Sequence, residues 1–214
     1  LFLLFWAILT FVPVPGQPAG QLLPQNNIAK HIEKLVFGHF DDGPSDYTWF
    51  LSSLGFIITV MTGVFASTII RSKSIKFPSL KSKNPEIHKT LMLAATGLAL
   101  AAAGQVANIW FPIIKHIWNP SFILFSSGLS FLLMALFYYI IDVKGYQRWA
   151  FWLKVIGMNS IFIYMATHLI NFEDIAQNVV FGLEQFFNDF YPVIRSITAL
   201  TIIYIMLYYM YKKG

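Results

Sequence analysis

The segment GMNSIFIYMATHL, residues 157 to 169, sets Asn159, Ser160, Tyr164 and His168 within ten positions of an otherwise apolar run. On a helix Ser160, Tyr164 and His168 follow one another at i, i+4 and i+8 and share a face, with Asn159 beside them. Polar side chains are costly in hydrocarbon, so such a stripe should face a bundle interior or an aqueous cavity. An amide can stabilise a developing oxyanion and an imidazole can move a proton near neutral pH. Each residue also has a plainer use. Ser160 and Tyr164 can serve as hydrogen-bonding contacts between helices, and His168, near the end of its span, can be an interfacial imidazole.

A second polar group lies in FPIIKHIWNPSF, residues 111 to 122, where Lys115, His116, Trp118 and Ser121 crowd a tight connection. Trp118 and Lys115 suit a membrane interface by themselves, and Pro120 suits the first position of a helix. Lys115 and His116 stand on the side that is otherwise poor in cations, where a carbohydrate or anionic group could be held. No metal-ligand spacing joins His31, His39 or His88 to one another or to nearby carboxylates. With no cysteine, neither a disulfide framework nor a thiolate site exists. Glycine-rich phosphate loops, a Gly-x-Ser-x-Gly elbow and nucleic-acid-binding patterns are absent too.

The elements that position these groups follow from composition. Only 12% of the 214 residues are charged and 57% are hydrophobic, against about 25% charged in a soluble domain. A crossing helix needs about 20 apolar residues, and five runs qualify, near 49–70, 90–111, 121–141, 150–170 and 192–211. The expected fold is therefore an all-α polytopic transmembrane helix bundle, one domain over 1–214, with short interfacial helices. A sixth run, residues 1 to 12, is too short to cross. As the chain starts at Leu1 with no basic stretch before it, this run is expected to be the end of a longer, truncated helix and the chain a fragment.

The formal net charge of +5 is informative through its placement. If the runs alternate, Arg71, Lys73, Lys76, Lys81, Lys83, Lys89, Lys144, Arg148, Lys154, Lys212 and Lys213 share one side. Most acidic residues, among them Glu33, Asp41, Glu173 and Asp189, take the other. The positive-inside rule makes the first side, with the C-terminus, cytoplasmic, as in a bacterial inner membrane. On the opposite side NNIAKHIEKLVFG is expected to form a surface helix. Ile28, Ile32, Leu35 and Val36 would share its apolar face, Asn27 cap its start and Gly38 end it. EDIAQNVVFGLEQFFNDF is expected to supply a second. Gly97 and Gly104 suit close helix approach.

In this order, FVPVPGQPAG, NNIAKHIEKLVFG, FPIIKHIWNPSF, LFYYIIDVKGYQRWAF and IGMNSIFIY resemble the C-terminal half of the heparan-α-glucosaminide N-acetyltransferase family. The resemblance implies a polytopic bundle that passes acetyl from cytoplasmic acetyl-CoA to an amino sugar across the membrane. It places Asn159 and its stripe in a cavity wall and the Lys115–Trp118 turn at the cavity mouth. This chain has Ile114 where the family's turn usually has Asn. The family's essential histidine and its Asp-x-x-Arg-Gly motif belong to an N-terminal half that this sequence lacks, so no residue here carries over as catalytic base. The expected partners are the lipid bilayer, that missing half and an amino-sugar acceptor, with homo-oligomerisation left open and no nucleic acid. The alternative is a non-enzymatic transporter or assembly subunit.

Overall fold

The computed structural model describes residues 12–16, 18, 23, 27–38, 50–72 and 84–213. Residues 1–11 of the short run 1–12 and the whole of the lysine-rich stretch 73–83 lie outside them. Every regular element among the described residues is helical, and the chain divides into two compact units, Leu1–Gly145 and Tyr146–Gly214.

In the first unit, α1 spans Ile28–Phe37, and the Asn27 side chain accepts the Lys30 N–H at 2.9 Å as the N-cap. Gly38 ends the helix at φ 53°, a conformation glycine adopts without penalty. The expected apolar face is present but is not the buried one. Ala29, Lys30 and Glu33 are buried with Ile28, while Leu35 and Val36 are exposed.

Helix α2 (Phe50–Arg71) packs with α3 (Pro85–Ala107) and α4 (Pro120–Tyr138), which ends in a π-helical turn, Tyr139–Val143. Apolar burial drives helices together weakly in lipid, so close backbone approach has to supply the contact. Here it does. A Cβ added at Gly104 would lie 2.5 Å from the Phe125 backbone, and one at Gly128 would run into that of Ala101. Ala66, Ile69, Leu93, Phe131, Ala135 and Tyr138 form the core beside this seam. At one end of the α3–α4 pair the Tyr138 hydroxyl donates to Glu86, which also pairs with Lys89 at 3.2 Å.

The second unit begins with a 3-10 turn, Arg148–Ala150, followed by α5 (Phe151–Met158) and α6 (Ser160–Leu169). These two helices are bent by 61° at Asn159, so the single rod expected over 150–170 is broken in its middle. Next come α7 (Phe172–Val180), a turn at Phe181–Leu183, the short α8 (Glu184–Phe187), a turn at Asn188–Phe190, and α9 (Tyr191–Lys213). Ala166, Phe172, Ala176 and Ala199 knit α6, α7 and α9 together, the alanines permitting a close fit.

Among the described residues, three helical stretches are long and apolar enough to cross a membrane: Pro85–Ala107, Pro120–Val143 and Phe172–Lys213, the last containing α9. The bent pair makes a fourth if it counts as one span, and Gly55–Arg71 is a shorter apolar helix. Five full spans, as expected from the runs, are not established.

The seam makes a sharp prediction. Gly128→Val must push the α3 and α4 backbones apart and should cost about 3 kcal/mol, in the range of overpacking. Gly63→Ala, which meets nothing within 4 Å, should leave stability unchanged or raise it by up to about 1 kcal/mol. Denaturant titration of the two variants in micelles checks both.

Candidate functional site

The break at Asn159 follows from where its hydrogen bonds go. In an unbroken helix the Asn159 N–H would bond the Val155 carbonyl; here it bonds Ile156 O at 3.1 Å. The Val155 carbonyl that is left over belongs to a fully buried residue, and the Asn159 side chain serves it by donating from Nδ2 at 3.0 Å. An unmet carbonyl in hydrocarbon would cost several kcal/mol, so an amide is well suited to this position. The Asn159 carbonyl then accepts Ile163 N–H at 3.0 Å and starts α6. One amide hydrogen and Oδ1 of Asn159 are left for other partners.

Beyond the break the expected stripe is intact but faces outward from this chain: Ser160, Tyr164 and His168 are all exposed. The Tyr164 and His168 rings lie 4.5 Å apart. His168 Nδ1 is 2.7 Å from the Tyr164 carbonyl. A carbonyl only accepts, so Nδ1 carries the proton and, in the neutral ring, Nε2 presents a lone pair.

His168 lines a cavity of about 680 Å³ within the second unit, together with Thr167, Asn171, Glu173 and Ser196. The Asn171 side chain caps α7, accepting the Glu173 and Asp174 N–H groups at 3.2 and 3.4 Å. Glu173 Oε2 pairs with Arg195 at 3.0 Å, leaving Oε1 with no partner among the described residues. Glu173, Ser196 and Asn171 were not singled out in the sequence, because Ser196 lies on α9, apart from Asn171 and Glu173 at the start of α7, and the three match no spacing rule. The Arg195 pairing keeps the cavity near neutrality, so Glu173 acts as a hydrogen-bond acceptor rather than an uncompensated counter-ion.

In the first unit, the connection between α3 and α4 is held from inside. Asn119, fully buried, accepts Phe122 N–H at 3.0 Å and donates to the Pro112 carbonyl. Ser121, also fully buried, donates to Phe111 O. Trp118 adopts φ 54°, its indole N–H reaches Thr59 Oγ1 at 3.3 Å, and its ring stacks edge-on with Phe56 and Phe122. Gly55 makes room for that ring, since a Cβ there would lie 2.7 Å from it. Ser121 and Trp118 are therefore committed to shaping the turn; Lys115 is exposed and His116 half-buried. Among the described residues no His, Asp or Glu grouping could hold a metal.

The chain is similar to the heparan-alpha-glucosaminide N-acetyltransferase of Homo sapiens, with 26% identity over 184 residues that cover 75% of this chain and 28% of that protein. It is also similar to the Mus musculus protein of the same name, with 25% identity over 192 residues, 77% and 28% of the two chains. These relatives are of the family that the sequence motifs resemble. The chain spans less than a third of their length. No family model and no solved structure matches it.

If the Asn159 amide sustains the bend, Asn159→Leu should straighten α5 and α6. Spin labels on Cys substituted at Lys154 and Thr167 should then separate by about 3 Å more, from the helical rise and the lost 61° bend. The absence of native cysteine makes the labelling direct. An unchanged distance would assign the bend to packing instead.

Proposed function

We propose that this chain forms the acceptor-side part of an integral-membrane acetyltransferase, working within a single transmembrane domain that takes acetyl from acetyl-CoA and delivers it to an amino sugar. The names of its relatives support the reaction class. One observation within the chain supports the site: a cavity in which His168 offers a lone pair at Nε2 among neutral hydrogen-bonding groups and a compensated carboxylate.

The chemistry suits such a cavity. An amine that attacks an acyl carbonyl must be unprotonated and must shed a proton as the new C–N bond forms and the thioester C–S bond breaks. An isolated carboxylate would hold the amine as ammonium, whereas Glu173 paired with Arg195 favours that form less. His168 Nε2 is placed to accept a hydrogen bond from the amine. Asn159, through its remaining amide hydrogen, is the alternative candidate, as an oxyanion donor; it lies nine residues, about 13 Å along α6, from His168 and outside the cavity lining, so one acyl transfer cannot use both. Ser160 and Tyr164 continue the exposed stripe that ends at His168, and in the first unit Lys115 and His116 stand on the turn that Trp118 and Ser121 shape.

Acetyl-CoA needs cations for its phosphates, and neither Lys nor Arg lines the cavity. The residues here therefore belong to the acceptor end, and no donor step is assigned to them. The lysine-rich side is taken as cytoplasmic and the membrane as a bacterial inner membrane, on the positive-inside rule.

The broken α5–α6 helix favours a second reading, since interrupted spans line transport sites. Turnover separates the two. Full-length protein given acetyl-CoA and methyl β-glucosaminide should release coenzyme A and form the N-acetyl product. His168→Gln should lower kcat by about 100-fold, at the low end for loss of a general base, whereas a loss confined to Asn159→Ala would move the reaction centre to the bend. Uptake of the sugar by vesicles without acetylation would favour the transporter.

A further inference from the structure

Charge is segregated along the second unit. Its carboxylates, Glu173, Asp174, Glu184 and Asp189, all fall between the start of α7 and the turn before α9, and residues 146–172 and 190–214 contain none. Arg195, which pairs with Glu173, and Lys212 are separated by about 25 Å of α9. That length approaches the roughly 30 Å of a hydrocarbon core, so the carboxylate-bearing end and the Lys212 end suit opposite headgroup levels.

At the Lys212 end three cations gather on one seam. Phe151 of α5 sets its ring edge-on to Tyr208 and Tyr211 of α9, with centroids 6.4 and 5.6 Å apart. Arg148 and Lys154 stand three residues before and after Phe151, the spacing that keeps neighbours on one side of a helical turn. Lys154 Nζ lies 5.7 Å from the Tyr211 ring centroid. Its stem therefore runs back toward the α5 start, as a snorkelling lysine does. Lys212 follows Tyr208 by four positions and shares its side of α9.

Arg148, Lys154 and Lys212 are exposed, and among the described residues no carboxylate pairs with any of them. A contact with a ring face leaves the ammonium donors of Lys154 unspent. Trp149, Trp152 and Tyr209 are exposed at the same helix ends, as suits the level where aromatic belts meet lipid headgroups. Like charges brought to one seam repel, and a phosphodiester is the anion a bilayer holds at this depth. A zwitterionic headgroup offsets its phosphate with its own ammonium, so uncompensated cations favour a lipid of net negative charge.

We propose that this seam binds an anionic phospholipid, its phosphate bridging Arg148 and Lys154 at the α5 end to Lys212 of α9. The lipid fastens α5 to α9 where aromatic edges alone join them. The proposal stands on this seam and is independent of the acetyl-transfer reading.

The test uses full-length protein in phosphatidylcholine nanodiscs that contain a small fraction of phosphatidylglycerol with a diazirine on its headgroup. Irradiation should label residues 146–154 or 208–213. Unlabelled phosphatidylglycerol should remove the label, whereas phosphatidylcholine and acetyl-CoA should not. Each cation near an anionic surface contributes roughly fivefold in affinity. Arg148→Gln/Lys154→Gln should therefore raise the half-saturating phosphatidylglycerol fraction at least tenfold, with Lys212→Gln/Lys213→Gln as a second variant should the first fold poorly. Arg71→Gln/Lys144→Gln loses the same charge on the side shared under the positive-inside rule, but away from the seam, and should change that fraction less than twofold.

Saturation unchanged in the folded seam variants, or weakened equally in the Arg71 and Lys144 variant, would overturn the proposal, since general surface charge would then explain the labelling. Label spread evenly over outward residues such as Ile161 and Val193 would overturn it as well. Displacement by acetyl-CoA would also defeat it and give the seam to the phosphates of a soluble ligand.

Discussion

Within hydrocarbon a backbone carbonyl must find a donor, and the second unit is organised around how one carbonyl does so. Val155 O loses its helical partner when the Asn159 N–H turns to Ile156, and the Asn159 amide replaces it. That substitution allows a 61° bend in the middle of an apolar run with no proline. The elbow and the placement of α6 against α7 and α9 both follow. A polar residue that looks expensive in a span is thus used to satisfy backbone that the bend would strand, with hydrogen-bonding capacity left over.

The same economy appears in the first unit. Asn119 and Ser121 are fully buried, yet each is spent on the connection between α3 and α4: Asn119 caps α4 and reaches Pro112 O, and Ser121 reaches Phe111 O. The seam between the two helices depends on absent side chains, since Gly104 and Gly128 bring backbones within contact distance of Phe125 and Ala101. In the second unit, alanines at 166, 176 and 199 do comparable work.

Local chemistry was legible in the sequence, and cross-element register was not. Asn27 and Gly38 could be read as cap and stop because capping depends on neighbours a few residues away. Gly97 and Gly104 stood out in an alanine-rich run, but Gly128 did not, since its role depends on facing Ala101 across the pair. The stripe Ser160, Tyr164 and His168 was readable from helical spacing. The break just before it was not, because an apolar run without proline reads as a rod. The exposed apolar face of α1 was foreseen, while the burial of Lys30 and Glu33 opposite was not. Glu173 and Ser196 reach the cavity, and Arg195 reaches Glu173, through tertiary packing of α7 and α9, for which a lone sequence offers no signal.

The central claim is that the cleft beside His168 receives the acceptor, and the most direct measurement is a structure of the full-length protein in a nanodisc with methyl β-glucosaminide bound. The expected result places the sugar amine within hydrogen-bond distance of His168 Nε2, with Glu173 still paired to Arg195 and the α5–α6 bend retained. A cavity filled by another segment of the protein, with the sugar bound elsewhere, would contradict it.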